Sequence, residues 1–259
     1  MLSQSQQRDS SSMMFQDSIL RYLSQNNLSQ IDLKAVLFDM DGVLFDSMPI
    51  HAYAWAKTLQ EQGVLFTEEE AYLHEGRTGS GTINIVFNRE QKRDATEDEI
   101  QRIYKRKSSL FDRSPEANVM PGAAELLEQI RENGLNRILV TGSGQKALLG
   151  KLDHHFPGHF NKSRMVTAYD VIKGKPDPEP YLQGLNKAGV KACNAIVVEN
   201  APLGVESAKA AGIFTIAVNT GKLEDHHLLD AGADLLFPGM QALNEAWPEV
   251  FKAFQSTIR

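Results

Sequence analysis

Cysteine is nearly missing from this sequence. Cys193 stands alone, so no internal disulfide can form, and the chain fits a reducing cytoplasm. Long apolar runs are missing too: none approaches the ~18 residues that a membrane-spanning helix needs. Positive charge is not in excess. Lys+Arg number 27 against Asp+Glu 33, a net charge of −6, which speaks against a general nucleic-acid or anionic-membrane surface. An anionic ligand must therefore be held by a local cluster of cations. The opening stretch "MLSQSQQRDSSSMM" lacks the apolar core of a secretory signal. Its Ser and Gln content marks it as partly disordered. The expectation is a cytoplasmic, monomeric protein.

What is present is ordinary in bulk. The chain is 42% hydrophobic and 23% charged over 259 residues, with room for one large domain or two small ones. Phe15, Ile19, Leu20 and Leu23 recur at helical spacing, as in a short amphipathic helix packed on the main body.

The informative stretch is "VLFDMDGVLF" (36–45), where an apolar run ends abruptly in Asp39 and Asp41 with Gly42 behind them. Asp and Gly are common turn residues, so this is on its face only a turn. A calcium loop needs its glycine sixth and a glutamate twelfth. Here Gly42 is fourth and the twelfth position is Ile50, which excludes it. A third reading is a divalent-metal site, because strand ends in open α/β sheets are where ligands bind.

From Lys34 onward, strand-like runs alternate with helical ones. The strands are expected at 35–39, 137–141, 164–167, 195–199, 213–218 and 233–237, with helices near 122–133, 144–153, 178–189 and 203–211. Such alternation predicts an α/β fold with a Rossmann-like parallel sheet. Between Asp46 and Asn118 no strand is visible, and that span is too long for a loop in a compact domain. It reads as an inserted helical cap domain. The expected organisation is an N-terminal extension (1–33), a core domain (34–46 plus 118–259) and a cap (47–117).

A parallel sheet gathers its C-terminal strand ends on one edge. That edge would hold Asp39 and Asp41, then Thr141-Gly142-Ser143-Gly144 leading into a helix near Gln145, then Lys175 before Pro176, then Glu199-Asn200. A hydroxyl and free backbone N–H groups at a helix N-terminus form a phosphate cradle. Singly each is unremarkable: "TGSG" matches neither the P-loop nor the dinucleotide fingerprint, and Lys175 alone would pass for a solvated loop lysine.

As an ordered set these motifs resemble the haloacid dehalogenase superfamily. The cap after the first motif, with "HAYAW" (51–55), resembles its β-phosphoglucomutase-like branch. The resemblance implies that Asp39 is a nucleophile forming an aspartyl phosphate and Asp41 a general acid and base. It implies that Thr141 and Lys175 hold the phosphoryl group, and that Mg2+ sits on Asp39, the Asp41 carbonyl and the acidic pair. Gly142 and Ser143 would contact the substrate, with Glu199 behind the site. Mg2+ suits hard oxygen ligands, though Mn2+ is not excluded by them.

Two departures bear on the substrate. The pair usual in the branch is Glu-Asp; here it is Glu199-Asn200, one charge short. In "YLHEGRTG" (72–79), the place of a mutase's phosphate-binding arginine falls on Gly79, while Arg77 and a new acid, Glu75, have appeared. We expect Glu75 to close onto the metal and replace the missing charge. Arg77, Thr78 and Lys107 would then grip a compact polyanion. "HEGRTG" with "VVENAPLGV" also resembles branch members that are inorganic pyrophosphatases. His51 is open to two readings, as a discriminator of sugar acceptors or as a structural residue. The leading expectation is a Mg2+-dependent pyrophosphatase acting on a small phosphorylated substrate. The alternatives are β-phosphoglucomutase or a sugar-phosphate phosphatase. A non-catalytic binding module is disfavoured because Asp39, Asp41, Thr141 and Lys175 are all present.

Overall fold

The structure, a computed structural model, describes residues 4–144 and 146–257. Six parallel strands form one sheet in the order β3-β2-β1-β4-β5-β6: β1 (Ala35–Phe38), β2 (Asn136–Val140), β3 (Met165–Val166), β4 (Ala195–Glu199), β5 (Phe214–Val218) and β6 (Leu235–Phe237). All six expected strands are found. The protein is an α/β fold of the Rossmann-like kind, as the alternation predicted. β1 is central and buried along its whole length, which is why it reads as an uninterrupted apolar run rather than an alternating one.

Alternate residues of β1 feed two cores. Val36 and Phe38 join the layer built with α1 (Gln4–Gln25), α6 (Ala123–Glu132) and α11 (Met240–Gln255). Ala35 and Leu37 join the layer under α8 (Glu179–Ala188) and α9 (Pro202–Ala210). Two further helices are α7 (Lys146–His155) and α10 (Asp225–Asp230); α10 and α11 were not anticipated from the pattern. Of the stretch expected to be partly disordered, residues 1–3 lie outside the described residues, and from Gln4 the chain is helical. Phe15, Ile19, Tyr22 and Leu23 bury that helix against the core, whereas Leu20 is exposed. No described helix is long and apolar enough to cross a membrane.

Four helices fill the span between β1 and α6: α2 (Met48–Gln60), α3 (Glu68–Leu73), α4 (Gly79–Gln91) and α5 (Glu97–Arg113). They enclose a separate apolar cluster around Ala52, Leu59, Phe66, Ile83, Val86 and Ile103. The strand order reverses direction at β1, whose neighbours are β2 and β4. That reversal opens a crevice beyond the strand ends, and the helical cap lies over it.

Candidate active site

Asp39 follows β1 directly and its N–H donates to the Val198 carbonyl at 3.0 Å, which ties it to the end of β4. Its side chain meets Lys175, whose Nζ donates to Asp39 Oδ1 at 2.5 Å and to Glu199 Oε1 at 2.6 Å. Lys175 is 1% exposed, so it is no solvated loop residue. Glu199 is satisfied on every side. Tyr181 donates to it at 2.9 Å, and the N–H groups of Asn200 and Ala201 donate at 2.8 and 3.1 Å. Gly204 makes room for it, since a Cβ there would lie 1.7 Å from Oε1. Burial pushes the Asp39 carboxyl up to about 8 against the pull of Lys175. Burial opposes the charge on Lys175 as well, but Asp39 and Glu199 outweigh it and raise its pKa.

Asp41 faces the cap. Its Oδ1 accepts from Ser47 Oγ at 2.6 Å and lies 3.1 Å from His51 Nε2, and His51 Nδ1 lies 2.6 Å from Lys107 Nζ. Lys107 has no lone pair to spare when charged, so Nδ1 accepts and Nε2–H donates to Asp41. Burial and Lys107 both lower the His51 pKa and favour the neutral ring. Burial works to raise the Asp41 carboxyl, but the His51 ring, Ser47 and Lys107 more than offset it. Lys107 is 2% exposed and burial brings its ammonium down to about 7. The basic "KRK" run is therefore split: Arg106 pairs with Glu61 on the surface, while Lys107 points inward over Trp55 and Phe111.

Glu75 and Asn200 meet across the domain gap. Asn200 Nδ2 donates to Glu75 Oε1 at 2.8 Å, and Glu75 is only 8% exposed. Gly42, at φ +79°, is the residue that permits this, because a Cβ there would lie 2.0 Å from Asn200 Nδ2. Burial raises the Glu75 carboxyl well above its ordinary value, and the Asn200 bond works the other way. Among the described residues, Asn200 Oδ1 is buried with no hydrogen-bond partner. While Glu75 is ionised it takes the N–H end of the amide, and the oxygen is left for something else.

The segment after Glu75 seals the contact. A Cβ on Gly142 would meet the Gly76 carbonyl at 2.5 Å, and one on Gly174 would meet Thr78 Cγ2 at 2.6 Å. Two core glycines thus let the cap loop lie directly on the strand-end loops. What remains is a cavity of about 60 Å3. Asp39, Asp41, His51, Glu75, Arg77, Lys107, Thr141, Gly142 and Ser143 line it. Lys175 and Asn200 reach it through Asp39 and Glu75.

Of the residues expected to bind substrate, Thr78 needs correction. It does not line the cavity; its Oγ1 accepts from Gly81 N–H at 3.2 Å and caps α4. A Thr immediately before a helix start reads equally as ligand or N-cap, and the helix start claims it. Gln145 lies outside the described residues; Thr141 Oγ1 accepts from Ser143 N–H at 2.9 Å and shapes the loop before α7. Ser47 and Tyr181 were missed. Ser47 immediately precedes α2, four residues from His51, and that spacing was the available signal.

Among the described residues, no three His, Cys, Asp or Glu side chains are gathered closely enough to hold an ion by themselves. A metal would have to draw on Asn200. The unpartnered Oδ1 of Asn200, beside Glu75 and the two aspartates, is a hard-oxygen set that fits Mg2+.

A parallel sheet with paired aspartates at the tip of its central strand, a buried lysine behind them and a helical cap above defines a capped α/β hydrolase. The chain belongs to the haloacid dehalogenase-like hydrolase family, whose sequence profile matches residues 33–212. It is 32% identical over 218 residues to the phosphorylated carbohydrates phosphatase of Thermotoga maritima, covering 82% of this chain and 97% of that one. It is also 32% identical over 187 residues to hexitol phosphatase A of Escherichia coli, covering 72% of this chain and 83% of that one. Among solved structures it resembles a putative beta-phosphoglucomutase from Bacteroides vulgatus, with 54% identity, a TM-score of 0.92, and coverage of 94% of this chain and 99% of that one.

Proposed function

We propose that this family member is a Mg2+-dependent phosphohydrolase working through an aspartyl phosphate on Asp39, with inorganic pyrophosphate as its preferred substrate. The observation that carries the substrate is the Glu75–Asn200 hydrogen bond, which closes the cap over a cavity of about 60 Å3. Such a space suits a small polyanion; pockets for larger ligands run to roughly 300 Å3 and above.

Lys175 holds one oxygen of Asp39 and leaves the other to attack phosphorus. The Asp39–phosphorus bond would form as the bond to the leaving oxygen breaks, and Asp41, once it has taken up a proton, would pass it to that oxygen. Asp41 then takes a proton from water as the water displaces Asp39 and frees phosphate. Ser47 and His51 fix the Asp41 carboxyl for both steps. Asn200, Glu75, Asp39 and the Asp41 carbonyl would hold Mg2+, which supplies charge neutralisation at the phosphoryl oxygens when bound. Thr141, with Gly142 and Ser143, would receive those oxygens, and Lys107 and Arg77 would meet the second phosphate. Phosphoryl transfer depends mostly on such positioning and charge.

The relatives favour a second reading. Those named above are sugar-phosphate phosphatases and a putative mutase, and none is named a pyrophosphatase. A sugar-phosphate phosphatase, or a β-phosphoglucomutase, fits them better and needs a more open cap. Side-by-side assays with Mg2+ decide between them: pyrophosphate, hexitol and hexose phosphates, and β-glucose 1-phosphate with a bisphosphate activator. Pyrophosphate turnover with kcat/KM of ~10⁴ M⁻¹s⁻¹ or more, well above the sugar phosphates, is the expected result. The reverse ranking replaces the pyrophosphate reading with the second one.

A further inference from the structure

Tyr104 stands on α5, one turn before Lys107 and on the same face, and both line the cavity. One edge of its ring lies against Gly79: a Cβ there would meet Tyr104 Cδ2 and Cε2 at 2.3 Å. Gly79 is the first residue of α4 and has no left-handed backbone to explain a glycine, so the ring is the reason for it. On the core side the phenol reaches Gly144, whose Cβ would sit 3.3 Å from Tyr104 Oη. Tyr169 comes to the same residue from the loop after β3, donating to the Gly144 carbonyl at 3.1 Å. Tyr104 thus fills the space between the start of α4 and the phosphate-side loop.

We propose that Tyr104 and Gly79 are a matched specificity pair, the ring being a size stop that keeps the group beyond the second phosphate position out of the cavity. Gly79 keeps the stop seated; any side chain there drives the ring aside and opens the same space. This rests on the phosphohydrolase reading but not on the identity of the best substrate, because the stop is read as a ratio between large and small substrates.

The test uses full-length protein with Mg2+ and three probes of rising size: pyrophosphate, glycerol phosphate and glucose 1-phosphate. Tyr104→Ala is expected to raise the glucose 1-phosphate to pyrophosphate ratio of kcat/KM at least tenfold. Tyr104→Phe keeps the ring and should hold the ratio within about twofold. Gly79→Ala alone should raise the ratio as well, and adding it to Tyr104→Ala should change nothing more, since the clash has gone. An unchanged ratio in Tyr104→Ala overturns the size stop. Equal and independent effects of Gly79→Ala in both backgrounds overturn the pairing. If wild-type protein instead prefers sugar phosphates, the pyrophosphate reading fails on that measurement alone, and the ratio still judges the pair.

Discussion

The core half of the site has a partner for each of its charges, and the cap half does not. Lys175 lies between Asp39 and Glu199, and Glu199 is bonded in turn by Tyr181 and two backbone N–H groups. At the gap, among the described residues, Asn200 Oδ1 on the core side and Arg77 Nε on the cap side are buried without partners, and the Glu75 side chain bonds to the Asn200 amide. The pairing around Lys175 is assembled before any substrate arrives, whereas the groups at the gap, Asn200 of the core and Arg77 of the cap, are open to ligand or metal. Buried polar groups left open are costly, so they mark where a structure is waiting for something.

The sharpest break in that contrast is at Asp39. Asp39→Asn keeps the shape but removes the nucleophile, and kcat should fall roughly 10⁴-fold or more for every phosphate tested. Turnover that survives in this variant would falsify the covalent route. Lys175→Met comes next, because it strands two buried carboxylates. A loss of about 3–5 kcal/mol in urea unfolding at neutral pH is expected, softened where Asp39 takes up a proton. A loss below ~1 kcal/mol would mean that the core half is not held by this pairing.

The same contrast explains what could be seen in the sequence. Strand ends follow from apolar runs, and a parallel sheet must bring them together, so Asp39, Asp41, Thr141 and Glu199 were gathered on one edge by topology. Lys175, which alone passes for a loop lysine, and the roles of all five came from the family resemblance. Glu75 was inferred from charge, one acid gained where Asn200 had lost one, and the structure does bring the two side chains to 2.8 Å. Thr78 was misread because capping and ligand binding use the same hydroxyl, and only the helix start distinguishes them. Gly79 was noticed only as the place of an absent arginine; its relation to Tyr104 went unseen because it depends on how α4 packs on α5, which no local pattern encodes. The expected substrate rested on likeness of two short segments, and the relatives named here lean instead towards sugar phosphates.

Glu75→Gln probes the cap half directly. It keeps a group able to bond with Asn200 but removes the charge. The Mg2+ concentration for half-maximal rate should rise about 10–100-fold, as for other groups at the margin of a metal site. Pyrophosphate turnover should fall with it, and sugar-phosphate turnover should fall less. If Mg2+ dependence is unchanged, Glu75 is a latch between the domains and not a ligand.

The smallest effect separates the two halves by pH. Asp39 is pushed up to about 8 and must be ionised to attack, so the core gives kcat/KM a limb that rises with pH. Lys107 is brought down to about 7 and must be charged to attract an anion, so the cap gives a limb that falls as pH rises. Mg2+ favours the ionised carboxyl and should draw the rising limb to lower pH. It should leave the falling limb near 7, with a drop of roughly tenfold or less across it. Lys107→Arg stays cationic throughout this range and should remove the falling limb while sparing the rising one. A Lys107→Arg profile that keeps its falling limb would assign it to another group, and the charge on the cap side would then not be what selects the substrate.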